Sequence, residues 1–139
     1  MGYSYERKIN YYETDKMGVV HHSNYIRFLE ESRCSLLDHY GLPMEKIEEL
    51  GFTIPFLEIN CKYKNHVTSG DVLVIKPVIS EYNGVRMKVS YEVTNKKTGD
   101  IVIEVWTKHC FTNKELRPIN MKKYNPEINA LFEKLLENN

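Results

Sequence analysis

A chain of 139 residues matches the size of one domain, and folding at that length buries roughly two-thirds of the surface an unfolded chain exposes, so a core needs neither disulfide nor metal to hold. With 42% hydrophobic and 27% charged residues, the composition is that of a folded globular protein and excludes disordered, collagenous and low-complexity classes. Lysine plus arginine number 19, as do aspartate plus glutamate, so no global field recruits polyanions and a dedicated nucleic-acid binder is not expected.

In chain order, residues 3–12 are rich in tyrosine and predict a strand, ended by the turn-formers Glu13-Thr14-Asp15-Lys16-Met17-Gly18. From about Ser23, the residues Tyr25, Phe28, Leu29, Ser32, Leu36 and Tyr40 recur at three- and four-residue steps and predict a helix. Ser23 or Asn24 can cap its start, and Gly41 with Pro43 stops it. Ile26 and Leu37 widen its apolar face, which suits a helix wrapped by a curved sheet. Residues 43–50 form a short helical stretch with proline at the start and Gly51 beyond the end.

The period then changes to that of strands, over residues 52–63 and 72–81. Val85, Met87, Val89, Tyr91 and Val93 alternate with Arg86, Lys88, Ser90, Glu92 and Thr94, giving one dry and one wet face. Asn83-Gly84 and Lys97-Thr98-Gly99-Asp100 are hairpin turns leading to a last strand over residues 101–111, and the four strands read as an antiparallel meander. Residues 126–136 set Ile128, Leu131, Leu135 and Leu136 on one side of a closing amphipathic helix. The order strand, long helix, strands is α+β and excludes a parallel nucleotide-binding sheet.

Cys34, Cys61 and Cys110 are odd in number, far apart and without a CxxC pair, so they predict neither disulfides nor a zinc knuckle and point to a reducing, cytoplasmic setting. The first six residues lack the apolar stretch of an export signal, and Glu6 stands where a myristoylation motif needs Ser or Thr. Aliphatic runs such as Val72-Leu73-Val74-Ile75 fall far short of the ~20 residues that cross a bilayer, so no membrane span is expected.

The string Tyr11-Tyr12-Glu13-Thr14-Asp15-Lys16-Met17-Gly18-Val19-Val20-His21-His22-Ser23-Asn24-Tyr25-Ile26-Arg27-Phe28-Leu29-Glu30 resembles the signature of hotdog-fold acyl-CoA thioesterases. It is most similar to the 4-hydroxybenzoyl-CoA thioesterase-like group, including the short-chain enzymes associated with the Tol-Pal system. The resemblance implies a single hotdog domain over residues 1–139, with a long helix wrapped by an antiparallel sheet. It also implies a homodimer or homotetramer with active sites at the subunit boundary, an acyl-CoA substrate and no cofactor. It assigns the catalytic carboxylate to Asp15, as general base or nucleophile, and the polarising amide to His22. Gly18, Val19 and Tyr25 fall on the substrate side, Tyr25 as a packing residue that walls the acyl pocket. Arg86 and Lys88 correspond to cationic positions that meet the coenzyme A nucleotide.

The chemistry agrees with that assignment. A thioester carbonyl is electrophilic and its thiolate leaves readily, so hydrolysis needs one positioned carboxylate and one oxyanion donor. Gly18 permits a sharp bend ahead of the helix, whose first N–H groups lack intrahelical partners and carry partial positive charge. The competing readings are structural: an Asx turn for Asp15, a polar surface role for the His22 ring, and a solvated strand face for Arg86 and Lys88. A metal on Asp15, His21 and His22 is not expected, because adjacent histidines at a helix head point apart. His39, His66 and His109 read as structural or solvated, and Lys64 as surface charge. Two departures stand out: Glu13 replaces the first acid of an Asp-Thr-Asp loop, and His21 puts a second titratable ring close to the catalytic carboxylate. Rival functions are hydrolysis of acyl carrier protein thioesters, a dehydratase, for which the Asp-first order is wrong, and a thioester-binding module without turnover.

Overall fold

The computed structural model describes residues 2–137. Along the chain lie β1 (Tyr5–Lys8), a 3-10 turn (Tyr11–Glu13), α1 (Ser23–His39), α2 (Met44–Leu50), β2 (Phe52–Thr53), β3 (Phe56–Tyr63), β4 (Val72–Tyr82), β5 (Arg86–Asn95), β6 (Ile101–Cys110), β7 (Thr112–Asn113), α3 (Met121–Tyr124) and α4 (Pro126–Glu137). The main sheet is antiparallel in the order β1-β4-β5-β6-β3, and β2 pairs with β7 in a separate two-stranded sheet.

Only β4, β5 and β6 form the expected meander. β3 does not follow into β4; it lies at the far edge beside β6, and β1 takes the place next to β4. The reason lies in the connection over residues 64–71, too long for a tight hairpin and tied to the end of β1. Ile9 N–H donates to the Asp71 carbonyl at 2.8 Å, and Gly70 N–H donates to the Ile9 carbonyl at 2.9 Å. The expected strand over residues 3–12 ends at Lys8, because the Glu13 carboxylate reaches back to the Asn10 N–H at 2.8 Å and curls the chain into the 3-10 turn. The strand expected over residues 52–63 is split around Pro55, which has no N–H for a ladder.

The core fills the space between α1 and the sheet. α1 buries Tyr25, Phe28, Leu29, Ser32 and Leu36, against sheet residues including Leu73, Ile75, Ile79 and Val89. Ile26 is 46% exposed, so within one protomer the helix is covered along one stripe and not round its circumference. β5 follows the alternation read from its sequence, with Met87, Val89, Tyr91 and Val93 buried. α4 packs Phe132 on Phe111 and Tyr82, with ring centroids 5.4 Å apart in each pair. The outer side of β3 is an open edge along which only Ile59 and Cys61 are partly covered. No helix among the described residues is long and apolar enough to cross a membrane.

Candidate active site

The loop ahead of α1 is built on Arg7 and Glu13. The Glu13 side chain is nearly buried, and the Arg7 guanidinium grips both its oxygens, at 2.8 and 2.6 Å, while Arg7 Nε reaches Glu31 at 2.8 Å. Burial alone raises the Glu13 pKa, but the hydrogen bonds from Arg7 and Asn10 outweigh it and hold the carboxyl below its ordinary value. Arg7 also lies 4.7 Å over the Phe28 ring, so one cation joins β1, the loop and the helix. The Glu13 carbonyl then accepts the His21 N–H at 3.0 Å and the Asn24 side-chain amide at 2.9 Å, fixing the helix start. Glu13 is therefore a structural ion-pair residue and no second acid in the cleft.

Beyond Glu13 the chain makes a tight reversal. Asp15 N–H donates to the Val19 carbonyl at 2.8 Å, Gly18 N–H donates to the Asp15 carbonyl at 3.0 Å, and Gly18 has φ +78°, a conformation that costs glycine little. Asp15 Oδ1 accepts the Met17 N–H at 2.8 Å, so the Asx turn exists and leaves the second carboxylate oxygen without a partner among the described residues. The half-buried carboxylate lines a cleft of about 290 Å³ together with Val19, Val20, His22 and Tyr25. Gly18 shapes the reversal without lining the cleft.

The opposite wall was not legible in the sequence. Tyr63, Lys64, Asn65 and His66 supply it, brought there by Val20 N–H donating to the Val67 carbonyl at 2.9 Å. Neither Lys64 nor His66 belongs to a motif, and only the long-range pairing of the two loops places them.

The helix head offers fewer free donors than a simple start would. His22 is the N-cap in helical conformation, and neither Ser23 nor Asn24 caps with its side chain. Instead the His21 ring does: its Nδ1 accepts the Ser23 N–H at 3.2 Å and lies 2.8 Å from the Ser23 hydroxyl. Asn24 N–H and Tyr25 N–H donate to the carbonyls of His21 and His22 at 3.0 and 3.2 Å. The His22 N–H is left with no partner among the described residues. The two adjacent rings do not point apart as expected: the His22 ring stacks on His21, centroids 4.2 Å apart. Tyr25 is buried against Phe28 and Tyr63, and burial, with Cys61 and Tyr63 nearby, pushes its pKa up to about 12, so its hydroxyl stays protonated.

Arg86 and Lys88 do not join this cleft within one protomer. They line another, of about 520 Å³, with Lys108; Lys88 Nζ is 3.3 Å from Glu81 and stands 4.9 Å over the Trp106 ring. In register, Lys88 faces Lys108 and so the Glu58 end of β3, whereas Asp15 sits by the Tyr63 end.

A third hollow, of about 270 Å³, lies between α1, α2, β2 and the sheet at the Phe56 end of β3. Its wall is largely apolar, with Leu37, Ile47, Phe52 and Met87, but Glu30, Glu48 and Thr53 also line it, as do Arg33 and His109, the two ends of a wired polar chain. Arg33 Nη1 donates to the Tyr91 hydroxyl at 2.9 Å; Tyr91 and Thr107 hydroxyls lie 2.8 Å apart; Thr107 Oγ1 lies 2.8 Å from His109 Nε2. His109 is 1% exposed, and burial, with the Arg33 charge, pushes its pKa down to about 4. It is neither solvated nor paired to a carboxylate, and sequence spacing carries no signal for it.

A five-stranded antiparallel sheet with one long helix packed on it, and an acidic loop at that helix's head, is the architecture of a hotdog fold. The chain belongs to the Thioesterase-like superfamily, whose sequence pattern matches residues 9–134. It is 32% identical to YneP of Bacillus subtilis, which carries the name of an acyl-CoA thioesterase, over 93% of this chain and 94% of that one. The structure of a DHNA-CoA thioesterase from Staphylococcus aureus superposes with a TM-score of 0.90 at 26% identity, covering 96% of this chain and 90% of that one. A protein from Aquifex aeolicus superposes with a TM-score of 0.85 at 29% identity, covering 94% and 98%.

Proposed function

We propose that this protein hydrolyses acyl-CoA thioesters, with Asp15 as the catalytic carboxylate and the His22 N–H as the oxyanion donor. The observation that carries the reading is their position in one cleft: a carboxylate oxygen and a helix-head amide that both lack a partner among the described residues. As general base, Asp15 takes a proton from water while the hydroxide oxygen bonds to the thioester carbon. The carbonyl oxygen becomes an oxyanion held by the His22 N–H, and collapse breaks the C–S bond, releasing the acid and the thiolate, which receives the proton. As nucleophile, Asp15 would form an acyl-aspartyl anhydride that water then opens, and transfer of one ¹⁸O from labelled water into Asp15 in a single turnover identifies that route. Neutral Tyr25 walls the acyl side.

The working unit is a homo-oligomer of this one domain in the cytoplasm. Its open β3 edge pairs with a second copy across a two-fold axis. Antiparallel self-pairing sets the Phe56 end of one β3 against the Tyr63 end of the other. That brings the sheet end bearing Arg86 and Lys88 in one protomer toward the Asp15 cleft of the other, where they meet the coenzyme A phosphates. The likeness of the 11–30 string to the Tol-Pal-associated subgroup supports a short acyl group.

The test follows thiol release from a panel of acyl-CoAs and the matching acyl carrier protein thioesters. Turnover of CoA thioesters that is lost in Asp15→Asn supports the reading. Ligand-induced thermal stabilisation without release of thiol from any of them overturns it in favour of a binding module.

A further inference from the structure

Arg33 and His109, at the hollow by the Phe56 end of β3, are the ends of a polar chain whose first bond has a fixed direction. Arginine only donates, so the Tyr91 oxygen accepts from Arg33 and its own proton goes to Thr107, the remaining partner. Thr107 then pairs its own proton by donating to His109 Nε2, the arrangement that leaves every hydroxyl of the chain donating. A neutral imidazole carries one proton, so it sits on Nδ1. That N–H is buried and has no hydrogen-bond partner among the described residues. The nearby Pro55 carbonyl, which favours the charged ring, already accepts the Cys110 N–H at 3.2 Å and does not reach hydrogen-bonding geometry with Nδ1. Buried donors are nearly always paired, so an orphan beside a hollow marks the place of a ligand acceptor.

We infer that this hollow is the acyl pocket and that His109 Nδ1–H selects thioesters whose acyl group carries an oxygen acceptor remote from the thioester. The inference rests on the thioesterase reading and its two-fold β3 pairing. In one protomer the hollow and the Asp15 cleft sit at opposite ends of β3, about 23 Å apart along the strand. In the pair, the hollow of one copy opens beside the Asp15 cleft of the other. Phe56, whose ring stands edge-on to His109 at 5.2 Å and 5.7 Å from the Arg33 guanidinium, lies where the two meet. A volume of about 270 Å³ falls near the lower limit of small-molecule sites, which admits a compact acyl group and excludes a long chain. In a largely apolar wall, a buried unpaired N–H disfavours a plain alkyl or aryl group and favours one with an added hydroxyl or keto oxygen, because only the latter satisfies the N–H. His109 is then a specificity-determining residue, and Arg33, Tyr91 and Thr107 position its proton.

The experiment compares matched pairs: hexanoyl-CoA with 6-hydroxyhexanoyl-CoA, and benzoyl-CoA with 3-hydroxybenzoyl-CoA. For the native protein kcat/KM is expected to be at least about tenfold higher for the oxygen-bearing member of one pair or both. In His109→Phe that ratio collapses toward one. Thr107→Val keeps the ring and the volume but releases Nε2, and its ratio falls severalfold. ¹⁵N NMR of the native protein reads His109 independently of turnover: a protonated Nδ1 is expected, shifted by free 3-hydroxybenzoate and not by benzoate. A ring protonated on Nε2, or equal kcat/KM within both pairs, overturns the inference while leaving the hydrolase reading intact. An Nδ1 shift confined to the hydroxylated acid, with no thioester hydrolysed, sustains the pocket and removes the hydrolase reading.

Discussion

The Asp15 cleft and the His109 hollow occupy opposite ends of one strand and handle polar groups in opposite ways. The cleft is built from a short loop, half open to water, with its acid held by a neighbouring backbone N–H. The hollow is largely apolar, and its buried histidine is held through side chains from α1, β5 and β6. Loop groups that keep an untied lone pair suit proton transfer. A buried chain suits recognition, since its imidazole Nδ1 has no partner among the described residues and pairs only with what enters the hollow.

The largest effect that separates the two regions is on turnover. Asp15→Asn preserves an acceptor for the Met17 N–H, so the reversal survives while the base is lost. We expect kcat to fall on the order of 10²- to 10⁴-fold with an unchanged urea midpoint. A parallel loss of stability would move Asp15 to the structural side of the comparison.

Next comes the platform beneath the cleft. Arg7→Met strands the buried Glu13 carboxylate, and because Arg7 keeps some solvent contact the loss is set below that of a fully buried pair, at roughly 2–3 kcal/mol by urea denaturation. Activity falls as well, because the Glu13 carbonyl anchors His21 and Asn24.

The hollow should reveal itself through pH. His109 titrates at about 4 when folded and near 6.5 when unfolded, so the unfolded chain binds the extra proton between those values. Stability is unaffected above about pH 6.5 and declines as pH falls toward 4, by at most about 3 kcal/mol from this group. The slope flattens in His109→Gln, and a slope unchanged by that substitution would place the ring in contact with water.

The smallest effect concerns the cap. His21→Ala removes the acceptor for the Ser23 N–H and costs about 1 kcal/mol in thermal or urea unfolding. The freed amide adds a second donor at the helix head, and tighter inhibition by the anionic product acid would register it.

The acidic loop and helix were readable because they are contiguous: Asp15, Val19, His22 and Tyr25 lie in one string, and the same string folds into one wall of the cleft. The dry face of β5 was readable because a period of two survives any packing partner. The wall formed by Tyr63, Lys64, Asn65 and His66 was not, since it depends on which loop the 64–71 connection lies against. The same connection carries β4 to β1 and defeats the meander that hairpin spacing implies.

From sequence alone came the α+β order, the helix with its acid-bearing approach, and the family likeness, all encoded in local period and in one unbroken string. Tertiary structure alone decided that Glu13 is a buried partner of Arg7, that His21 caps the helix and leaves His22 the free amide, and that residues 33, 91, 107 and 109 form one chain. The first two depend on how a non-repeating loop curls and the last on segments far apart along the backbone, and neither leaves a period in the sequence. Periodicity reports which way a side chain faces, but only packing determines what it meets.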